Sequence, residues 1–262
     1  MRTKHDVFQQ LRESGVVAVL RGVDADTLIE ITDALLAGGV TGIELTADTP
    51  GIAEMVAELD GAFGDEIAIG VGTVLDSETA RTVMLSGADF VVSPSLHEDV
   101  IDTCNRYGTL VAPGIMTPTE AITGYEAGAD LLKVFPASSL GPGHLGAIKG
   151  PLGQIPLMPT GGVTPDNAGD YIDAGADLLK VFPASTVGPD HLGAIKGPLG
   201  QIPLMPTGGV SPDNAGDYIE AGAECVGAGG ALVDYEAADR GEFEVITENA
   251  DAFQDVISDA RE

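Results

Sequence analysis

The chain alternates short apolar runs with longer segments whose apolar residues recur at helical spacing. The run Val16–Leu20 is Val-Val-Ala-Val-Leu and predicts a buried strand. Residues 27–36 then place their apolar positions on one helical face. Asp24 or Asp26 can cap this helix, and Gly38-Gly39 can end it. The same order of strand and helix is repeated along the rest of the chain.

The later units have the same pattern, with strands that are short and apolar throughout. We expect strands at residues 42–45, 67–74, 90–93, 110–113, 131–135, 157–159, 178–182, 204–206 and 225–227. We expect helices near residues 51–59, 77–86, 98–106, 117–127, 144–149, 165–174 and 243–260. Thr164 would cap the helix at 165–174. Strands that alternate with helices predict a parallel sheet covered by helices, which is an α/β fold.

A block of 47 residues occurs twice in tandem, as residues 128–174 and 175–221. The copies differ only at Ser139/Thr186, Leu140/Val187, Gly143/Asp190, Thr164/Ser211 and Asp173/Glu220. Each copy holds two strand–helix units. Counted once, the block leaves eight units, the number that closes a (β/α)8 TIM barrel, here as a single domain over residues 1–262. Counted twice, it gives ten. A flavodoxin-like or Rossmann sheet is disfavoured because the unit count is too high and no GxGxxG motif opens the chain.

The surplus copy can be accommodated in three ways. The barrel can stay eight-stranded and extrude one copy, it can expand to ten strands, or the spare units can pair with another chain. Strand number, tilt and shear are coupled in a barrel, so expansion would open the packed interior. We therefore expect extrusion of one copy, although extruded strands would have open edges.

Charge narrows the range of partners. The chain carries 12 basic and 41 acidic residues, for a net charge of −29 at pH 7. Such a charge disfavours nucleic acid and anionic membranes as partners, because both are polyanions. The acids are spread along the chain, which suggests a surface adapted to a cytoplasm with very high salt, where self-repulsion is screened. Full stability and activity at low salt would count against this hypothesis.

Other features point to a soluble cytoplasmic protein. No signal peptide and no stretch long enough to span a bilayer is visible. Cys104 and Cys225 lie far apart without a CxxC partner, so we expect buried, inert thiols and no metal site. We expect Lys149 and Lys196 at the surface.

Polar or small residues stand at the carboxyl ends of the predicted strands, where a TIM barrel builds its site. They are Arg21, Glu44, Thr46, Gly72-Thr73, Ser93-Pro94, Lys133, Lys180, Thr160-Gly161-Gly162, Thr207-Gly208-Gly209 and Gly229-Gly230. The Thr-Gly-Gly turns come before helices, whose N-termini can hold a phosphate or carboxylate. A plain strand-to-helix turn is the commoner explanation of such glycines.

Lys133 and its duplicate Lys180 are the most informative of these residues. The chain has only five lysines, yet one stands in the apolar run Leu-Leu-Lys-Val-Phe-Pro of each copy. Alternation puts Leu132 and Val134 on the opposite face of the strand from Lys133. A lysine that points into the barrel would be desolvated, its pKa lowered and its amine made nucleophilic for Schiff-base chemistry with a ketone. A structural lysine paired with a carboxylate fits the spacing equally well.

Glu44 is the second candidate, in the apolar segment Gly42-Ile43-Glu44-Leu45-Thr46. A carboxylate in such a strand is costly unless it is paired or protonated. It could pair with the lysine and move protons, or it could form a simple structural salt bridge.

With these residues in view, the chain resembles the class I 2-keto-3-deoxy-6-phosphogluconate (KDPG) aldolase / 4-hydroxy-2-oxoglutarate aldolase family. The motifs that carry the resemblance are Gly42–Thr46, Gly70–Val74, Val92-Ser93-Pro94, Pro113-Gly114-Ile115, Lys133–Ala137 and Met158–Val163. They cover nearly the whole chain once one copy of the repeat is set aside. The acidic composition resembles that of a haloarchaeal member.

The resemblance implies a homotrimer of (β/α)8 barrels that needs no cofactor or metal. Its small-molecule 2-keto acid substrate would be KDPG, cleaved to pyruvate and glyceraldehyde 3-phosphate. Lys133 or Lys180 would form the Schiff base, and Glu44 would be the general acid/base. The pyruvyl pocket would be lined by Thr73, Pro94 and Phe135 or Phe182. The distal phosphate or carboxylate would be held by Thr160-Gly161-Gly162 or Thr207-Gly208-Gly209, together with Gly229-Gly230.

One departure from the family leaves the substrate open. Bacterial members often carry an arginine four residues after the catalytic glutamate, where this chain has Asp48. Unless Arg21 substitutes for it, an anion-binding arginine is missing. The galactonate epimer, an unphosphorylated keto-deoxy acid and 4-hydroxy-2-oxoglutarate therefore stay open as substrates. A non-catalytic barrel, disabled by its duplication but still binding oxyacids, is the alternative function. We expect Lys133 to be the working copy, because its unit is made first and can dock on the first five.

Overall fold

The computed structural model describes residues 2–161, 167, 170–171, 173–181, 184–186, 188–196 and 203–261. Its strands are β1 (Val16–Leu20), β2 (Gly42–Thr46), β3 (Ala68–Gly72), β4 (Phe90–Val92), β5 (Leu110–Ala112), β6 (Gly114–Ile115), β7 (Leu132–Val134), β8 (Leu157–Pro159), β9 (Leu179–Val181), β10 (Leu204–Pro206) and β11 (Val226–Ala228). Its helices are α1 (Lys4–Ser14), α2 (Ala25–Ala37), α3 (Ile52–Phe63), α4 (Ser77–Leu85), α5 (Glu98–Tyr107), α6 (Pro118–Glu126), α7 (Gly141–Lys149), α8 (Pro189–Lys196), α9 (Pro212–Glu220), α10 (Tyr235–Asp239) and α11 (Glu244–Arg261). The helix expected at residues 165–174, with its cap Thr164, falls largely outside the described residues.

Parallel pairing joins these strands into one ring. Six strands follow the order β11-β1-β2-β3-β4-β5, three follow β6-β7-β8, and β9 pairs with β10. β5 and β6 are consecutive pieces of one strand, interrupted at Pro113. Single parallel bridges between Thr160 and Lys180 and between Thr207 and Gly227 join β8 to β9 and β10 to β11. Among the described residues, the ring therefore has ten strand positions, and each copy of the repeat supplies two of them.

The expectation that one copy is extruded is wrong for this structure. Extrusion would leave the backbone N–H and C=O groups of two strands without ladder partners, which is costly wherever water is excluded. The ring avoids that cost because the join between the two copies uses the same pairing chemistry as the other joins.

An aspartate just before a strand forms the join between the two copies and two other joins of the ring. The Asp177 N–H donates to the carbonyl of Leu157 at 2.9 Å, and the Leu157 N–H donates to Asp177 Oδ2 at 2.8 Å. Asp89 and Asp130 make the same pair of bonds to the strands that precede theirs in the ring. The sequence Gly-Ala-Asp comes before β4, β7 and β9. The second copy therefore carries in Asp177 the residue that pairs it with the first copy.

Cations neutralise the acidic residues at these joins and at the join before β11. The ion pairs are Arg2–Asp89, Lys4–Asp130, Lys149–Asp177 and Arg12–Glu224. Three of the four cations lie on or just before α1, so this helix lies across the amino ends of the strands. Lys149 was expected at the surface, but it is 9% exposed. It is buried because its ammonium group also donates to the carbonyls of Gly153 and Ile155.

The two copies share tertiary contacts as well as sequence. The Tyr171 hydroxyl donates to the Ala137 carbonyl at 2.7 Å, and the Tyr218 hydroxyl donates to the Ala184 carbonyl at 2.8 Å. Both tyrosines are buried and belong to one hydrophobic core that runs around the ring. The second copy is therefore packed into the core like the first.

The sulfur atoms take no part in cross-linking among the described residues. Cys104 is buried and free, Cys225 is half-buried and free, and burial raises the pKa of the Cys104 thiol to about 12. In the part of the chain that the structure describes, no helix is long and apolar enough to cross a membrane.

Replacing Asp177 with alanine tests whether the second copy is part of the ring. The change removes the acceptor of the Leu157 N–H and leaves the buried Lys149 ammonium without its carboxylate, so we expect the free energy of unfolding to fall by about 1–3 kcal/mol. Asp173→Ala, at an exposed position four residues earlier at the end of the first copy, is the control and should stay within about 0.5 kcal/mol of wild type. Equal denaturant midpoints for the two variants would show that this join is not formed.

Candidate active site

A cleft of about 650 Å³ lies inside the ring at the carboxyl ends of the strands. Among the residues predicted for the site, those that line the cleft are Arg21, Glu44, Thr73, Pro94, Lys133, Phe135, Thr160, Gly161, Lys180, Thr207, Gly208, Gly209, Gly229 and Gly230. The structure thus brings together residues that are spread over more than 200 positions of sequence. Phe182 and Gly162, which were also predicted, lie outside the described residues.

Lys133 reaches the cleft because side chains alternate along β7. Leu132 and Val134 are 1% and 3% exposed in the core, whereas Lys133 between them is half-buried and lines the cleft. Its Nζ lies 4.5 Å from the centre of the Phe135 ring. Burial lowers the pKa of Lys133 to about 8, with a further lowering from Lys180 and an opposing effect of Glu44. About a tenth of this amine is therefore unprotonated at pH 7, and about half of it at pH 8.

Lys180 enters the same cleft from β9, two strand positions away. It pairs with Thr160 across a parallel bridge and with Met205 in β10. Among the described residues, no carboxylate lies within 4 Å of Lys133 or Lys180, since the ion pairs involve other cations. The interpretation of these lysines as halves of structural salt bridges thus finds no support in the geometry.

Glu44 is held over a glycine of the neighbouring strand. A Cβ atom built on Gly72 would lie 2.5 Å from Glu44 Oε1, so a side chain at this position would displace the carboxylate from where it lies. Glu44 is half-buried while Ile43 and Leu45 on either side are fully buried, the alternation expected of a strand with one face toward the cleft. The Gly70-Val71-Gly72-Thr73 segment therefore sets the position of the only carboxylate among the described residues that line the cleft.

The turn after β3 is strained at the cleft. Thr73 has φ +64°, in the left-handed region that residues with a Cβ avoid. Such strain costs about 1–3 kcal/mol and tends to occur at functional sites. Here it lies between Gly72, over which Glu44 is held, and Val74, whose N–H donates to the Val92 carbonyl at 3.2 Å.

Glycine turns form another part of the cleft wall. Gly208 and Gly209 have φ +85° and +75°, which allow the chain to turn sharply after β10 toward α9. Thr207, just before them, is 9% exposed, and its hydroxyl has no hydrogen-bond partner among the described residues. Its counterpart Thr160 instead donates to the Met158 carbonyl at 3.3 Å. The second copy thus places at the cleft a hydroxyl group that has no hydrogen-bond partner among the described residues.

Thr46 does not line the cleft, so its prediction as a substrate contact is not met. It is 2% exposed, and its hydroxyl lies 3.4 Å from that of Thr49 in the turn that follows β2. A hydrogen bond from Thr46, together with one from its own backbone, lowers the pKa of the exposed Asp48 carboxyl. Thr46 therefore stabilises a turn, a role that only the folded loop reveals.

Apolar side chains that sequence reasoning passed over also line the cleft. Val19, Val92 and Val210 are among them, with Gly227, Ala228 and Ala231. Alternation from Glu44 to the paired strand could have identified Val19, since Val19 is its register partner in β1. Among the described residues, no cluster of three histidine, cysteine, aspartate or glutamate side chains could hold a metal ion.

The cleft is cationic in a strongly acidic protein. Among the described residues that line it, Arg21, Lys133 and Lys180 supply three positive charges against the single carboxylate of Glu44, which gives a net charge of +2. The whole chain has a net charge of −29. Three of its 12 basic residues are thus concentrated at one cleft, which favours a negatively charged small molecule there.

Comparisons with known proteins agree with this architecture. A family model described as "KDPG and KHG aldolase" matches residues 7–178 and, separately, 172–249. The two matches overlap over residues 172–178, across the join between the two copies of the repeat.

Curated relatives are aldolases. The Escherichia coli 2-dehydro-3-deoxy-6-phosphogalactonate aldolase is 37% identical over 134 residues, which are 51% of this chain and just under two thirds, 65%, of the relative. The Haemophilus influenzae 2-dehydro-3-deoxy-phosphogluconate aldolase is 32% identical over 161 residues, which are 61% of this chain and 76% of the relative. A solved structure titled "Native KDPGal structure" has a TM-score of 0.58 and 27% identity, and the alignment covers 94% of this chain and 95% of that one.

Proposed function

The chain belongs to the KDPG and KHG aldolase family, and we propose that it is a Schiff-base aldolase that cleaves KDPG to pyruvate and glyceraldehyde 3-phosphate. The observation that carries the proposal is Lys133, a half-buried lysine in the cleft with no ion-pair partner among the described residues and a lowered pKa. An amine that is free near neutral pH can attack a ketone, whereas a paired ammonium group cannot.

The chemistry begins with the keto group of the substrate. In this proposal the free amine of Lys133 adds to the C2 carbonyl, and the carbinolamine loses water to give a protonated imine. Glu44 takes the proton of the C4 hydroxyl, the C3–C4 bond breaks, and its electron pair moves to the iminium nitrogen as an enamine. The aldehyde leaves, C3 regains a proton, and water releases pyruvate and the lysine amine.

The cations and glycine turns account for recognition of an anion. Arg21 lines the cleft, whereas Asp48, at the place of the family's frequent arginine, is exposed in the turn after β2. We propose that Arg21 takes over the contact with one anionic end of the substrate. The turns at Gly208-Gly209 and Gly229-Gly230, with the unpartnered Thr207 hydroxyl, would hold the distal phosphate or carboxylate.

The stereochemistry of the substrate at C4 is a second variable. The Escherichia coli relative is named for the galactonate epimer and the Haemophilus influenzae relative for the gluconate epimer. The pyruvyl half is common to both compounds, so the role of Lys133 is the same for either.

A ring of ten positions supports the alternative of a binding protein without activity. Two additional strands lie between β7 and β10, and among the described residues Glu44 forms no ion pair with either lysine. We infer that the ring derives from an eight-unit barrel by duplication of units six and seven, so that the distance between lysine and glutamate differs from that of the ancestral site.

Reductive trapping separates the two functions. Borohydride in the presence of pyruvate should give a stable adduct on Lys133, and Lys133→Met should abolish it, because only an imine is reduced. Glu44→Gln should lower kcat for KDPG cleavage about 10²- to 10⁴-fold by removing the general base, while Glu58→Gln on the exposed face of α3 should leave kcat unchanged. If the wild-type protein forms no adduct, the aldolase proposal is contradicted and a barrel that only binds oxyacids is the remaining function.

Removal of one copy tests the origin of the ring. A chain without residues 128–174 and a chain without residues 175–221 would differ only at the five positions where the copies differ. Both should fold as eight-unit barrels with kcat/KM at least equal to that of the full chain, because the strand spacing of the ancestral site returns. Insoluble or inactive products from both deletions would contradict the inference.

We also propose a homotrimer, as the resemblance to the family implies. Leu75 and Leu85 are 49% and 58% exposed, and burial of such side chains between subunits would stabilise an assembly. Light scattering after size-exclusion chromatography should give three times the mass of the 26.7 kDa protomer. A monomer at micromolar concentration and in high salt would rule the trimer out.

A further inference from the structure

The cleft contains one ionisable group that the proposed reaction does not use, the ammonium group of Lys180. The sequence around it is identical to that around Lys133, from Gly175 to Ser185 in the second copy and Gly128 to Ser138 in the first. Both lysines line the same cleft. Two lysines at equivalent positions of one catalytic cleft call for two different roles, because a single substrate molecule forms one imine.

The strand order fixes how far apart these lysines are. β8 lies between β7 and β9, with Lys133 opposite Met158 and Lys180 opposite Thr160. Adjacent strands are about 4.8 Å apart, so the two backbone positions are separated by about 10 Å. Both side chains point into the ring, and their charges therefore act on each other across a partly enclosed space rather than through bulk water.

The other charges around Lys133 do not cancel this effect. Arg21 from the end of β1 is also positive, and Glu44 from β2 is the only negative group among the described residues of the cleft wall. The neighbouring strands β6 and β8 carry no ionisable side chains.

The helices beside β7 do not change the charge around Lys133 either. On α6, Glu120 accepts hydrogen bonds from the backbone of Met116 and Thr117, and Glu126 is exposed. On α7, His144 contacts the Met116 carbonyl through a ring nitrogen. Lys180 is therefore the cation best placed to oppose a proton on Lys133.

We propose that Lys180 is a positioning residue, whose ammonium group disfavours protonation of Lys133 and so holds the imine-forming lysine as a free amine. The benefit of this effect to catalysis rests on the proposed aldolase function. The effect of Lys180 on the protonation of Lys133 can be measured whether or not the protein is an aldolase. Repulsion by Lys180 is second only to burial among the causes that lower the pKa of Lys133.

The same ammonium group is compatible with the later steps. The imine nitrogen of Lys133 becomes positive after water leaves, and Lys180 would then repel it. The carboxylate of the bound keto acid enters next to this nitrogen and brings a compensating negative charge. The proton that Lys133 releases goes to solvent before substrate binds.

Competitive labelling with trace acetic anhydride measures the effect directly, because only the unprotonated amine reacts. Cleavage on the amino side of aspartate gives separate peptides that begin at Asp130 and Asp177, so the two copies are read apart by mass, and fragmentation of the first peptide separates the label on Lys133 from that on Lys149. Lys133 should be half-reactive near pH 8 in the wild type. Lys180→Met should move this midpoint up by about one pH unit, the effect of removing a unit charge about 10 Å away. Lys180→Arg keeps the charge and should leave the midpoint near 8.

Controls separate this role from a structural one and from catalysis. Arg106→Met removes a cation from the exposed outer end of α5 and should not move the midpoint. An unchanged midpoint in Lys180→Met, or an equal shift in Lys180→Met and Lys180→Arg, would overturn the proposal. A borohydride adduct of pyruvate on Lys180 instead of Lys133 would also overturn it. If wild type forms no adduct at all, the aldolase proposal fails while the labelling midpoints still decide the role of Lys180.

Discussion

The closure of the ring depends on the pairing of each strand with a neighbour on both sides. Strands at the centre of a parallel barrel are shielded from water, so an unpaired backbone edge there is costly. The aspartate before a strand supplies two hydrogen bonds to the strand that precedes it in the ring, as Asp177 does to Leu157. Each copy of the repeat carries one such aspartate. A duplicated copy therefore brings the hydrogen bonds that pair it with the strand before it, and the ring can grow without new kinds of interaction.

Growth of the ring has a direct consequence for the cleft. The insertion places a second lysine and a second Thr-Gly turn between β7 and β10, so the cleft contains Lys133 and Lys180 together. In an eight-unit barrel the turn at Thr207 would follow directly on the lysine strand. Here Lys133 retains its neighbour on the side of β6, while Lys180 retains the neighbour on the side of β10. In the proposed origin from an eight-unit barrel, the residues that formed one wall of a single site are thus present here in two copies.

Charge is distributed to suit this arrangement. Acidic residues dominate the surface, and much of the small supply of cations is used at two places, the amino ends of the strands and the cleft. At the amino ends, each cation neutralises an acid, as Lys4 does for Asp130. Among the described residues of the cleft, three cations face one carboxylate, an excess of positive charge that suits the proposed anionic substrate and the proposed role of Lys180.

The sequence by itself determined the units, the direction of the chain through them and most of the candidate site. The apolar run around Lys133, the glutamate within 42–46 and the Thr-Gly-Gly turns are local patterns, and alternation along a strand is enough to send Lys133 and Glu44 to the inner face. Local patterns carry no information on how many units close the ring. That number depends on pairing between strands far apart in sequence, and only the tertiary structure decided it, with both copies inside. The tertiary structure also decided that Thr46 supports a turn and that Lys149 is buried against Asp177. Neither was visible in the sequence, because Thr49 and Asp177 come within reach of these residues only after the chain has folded.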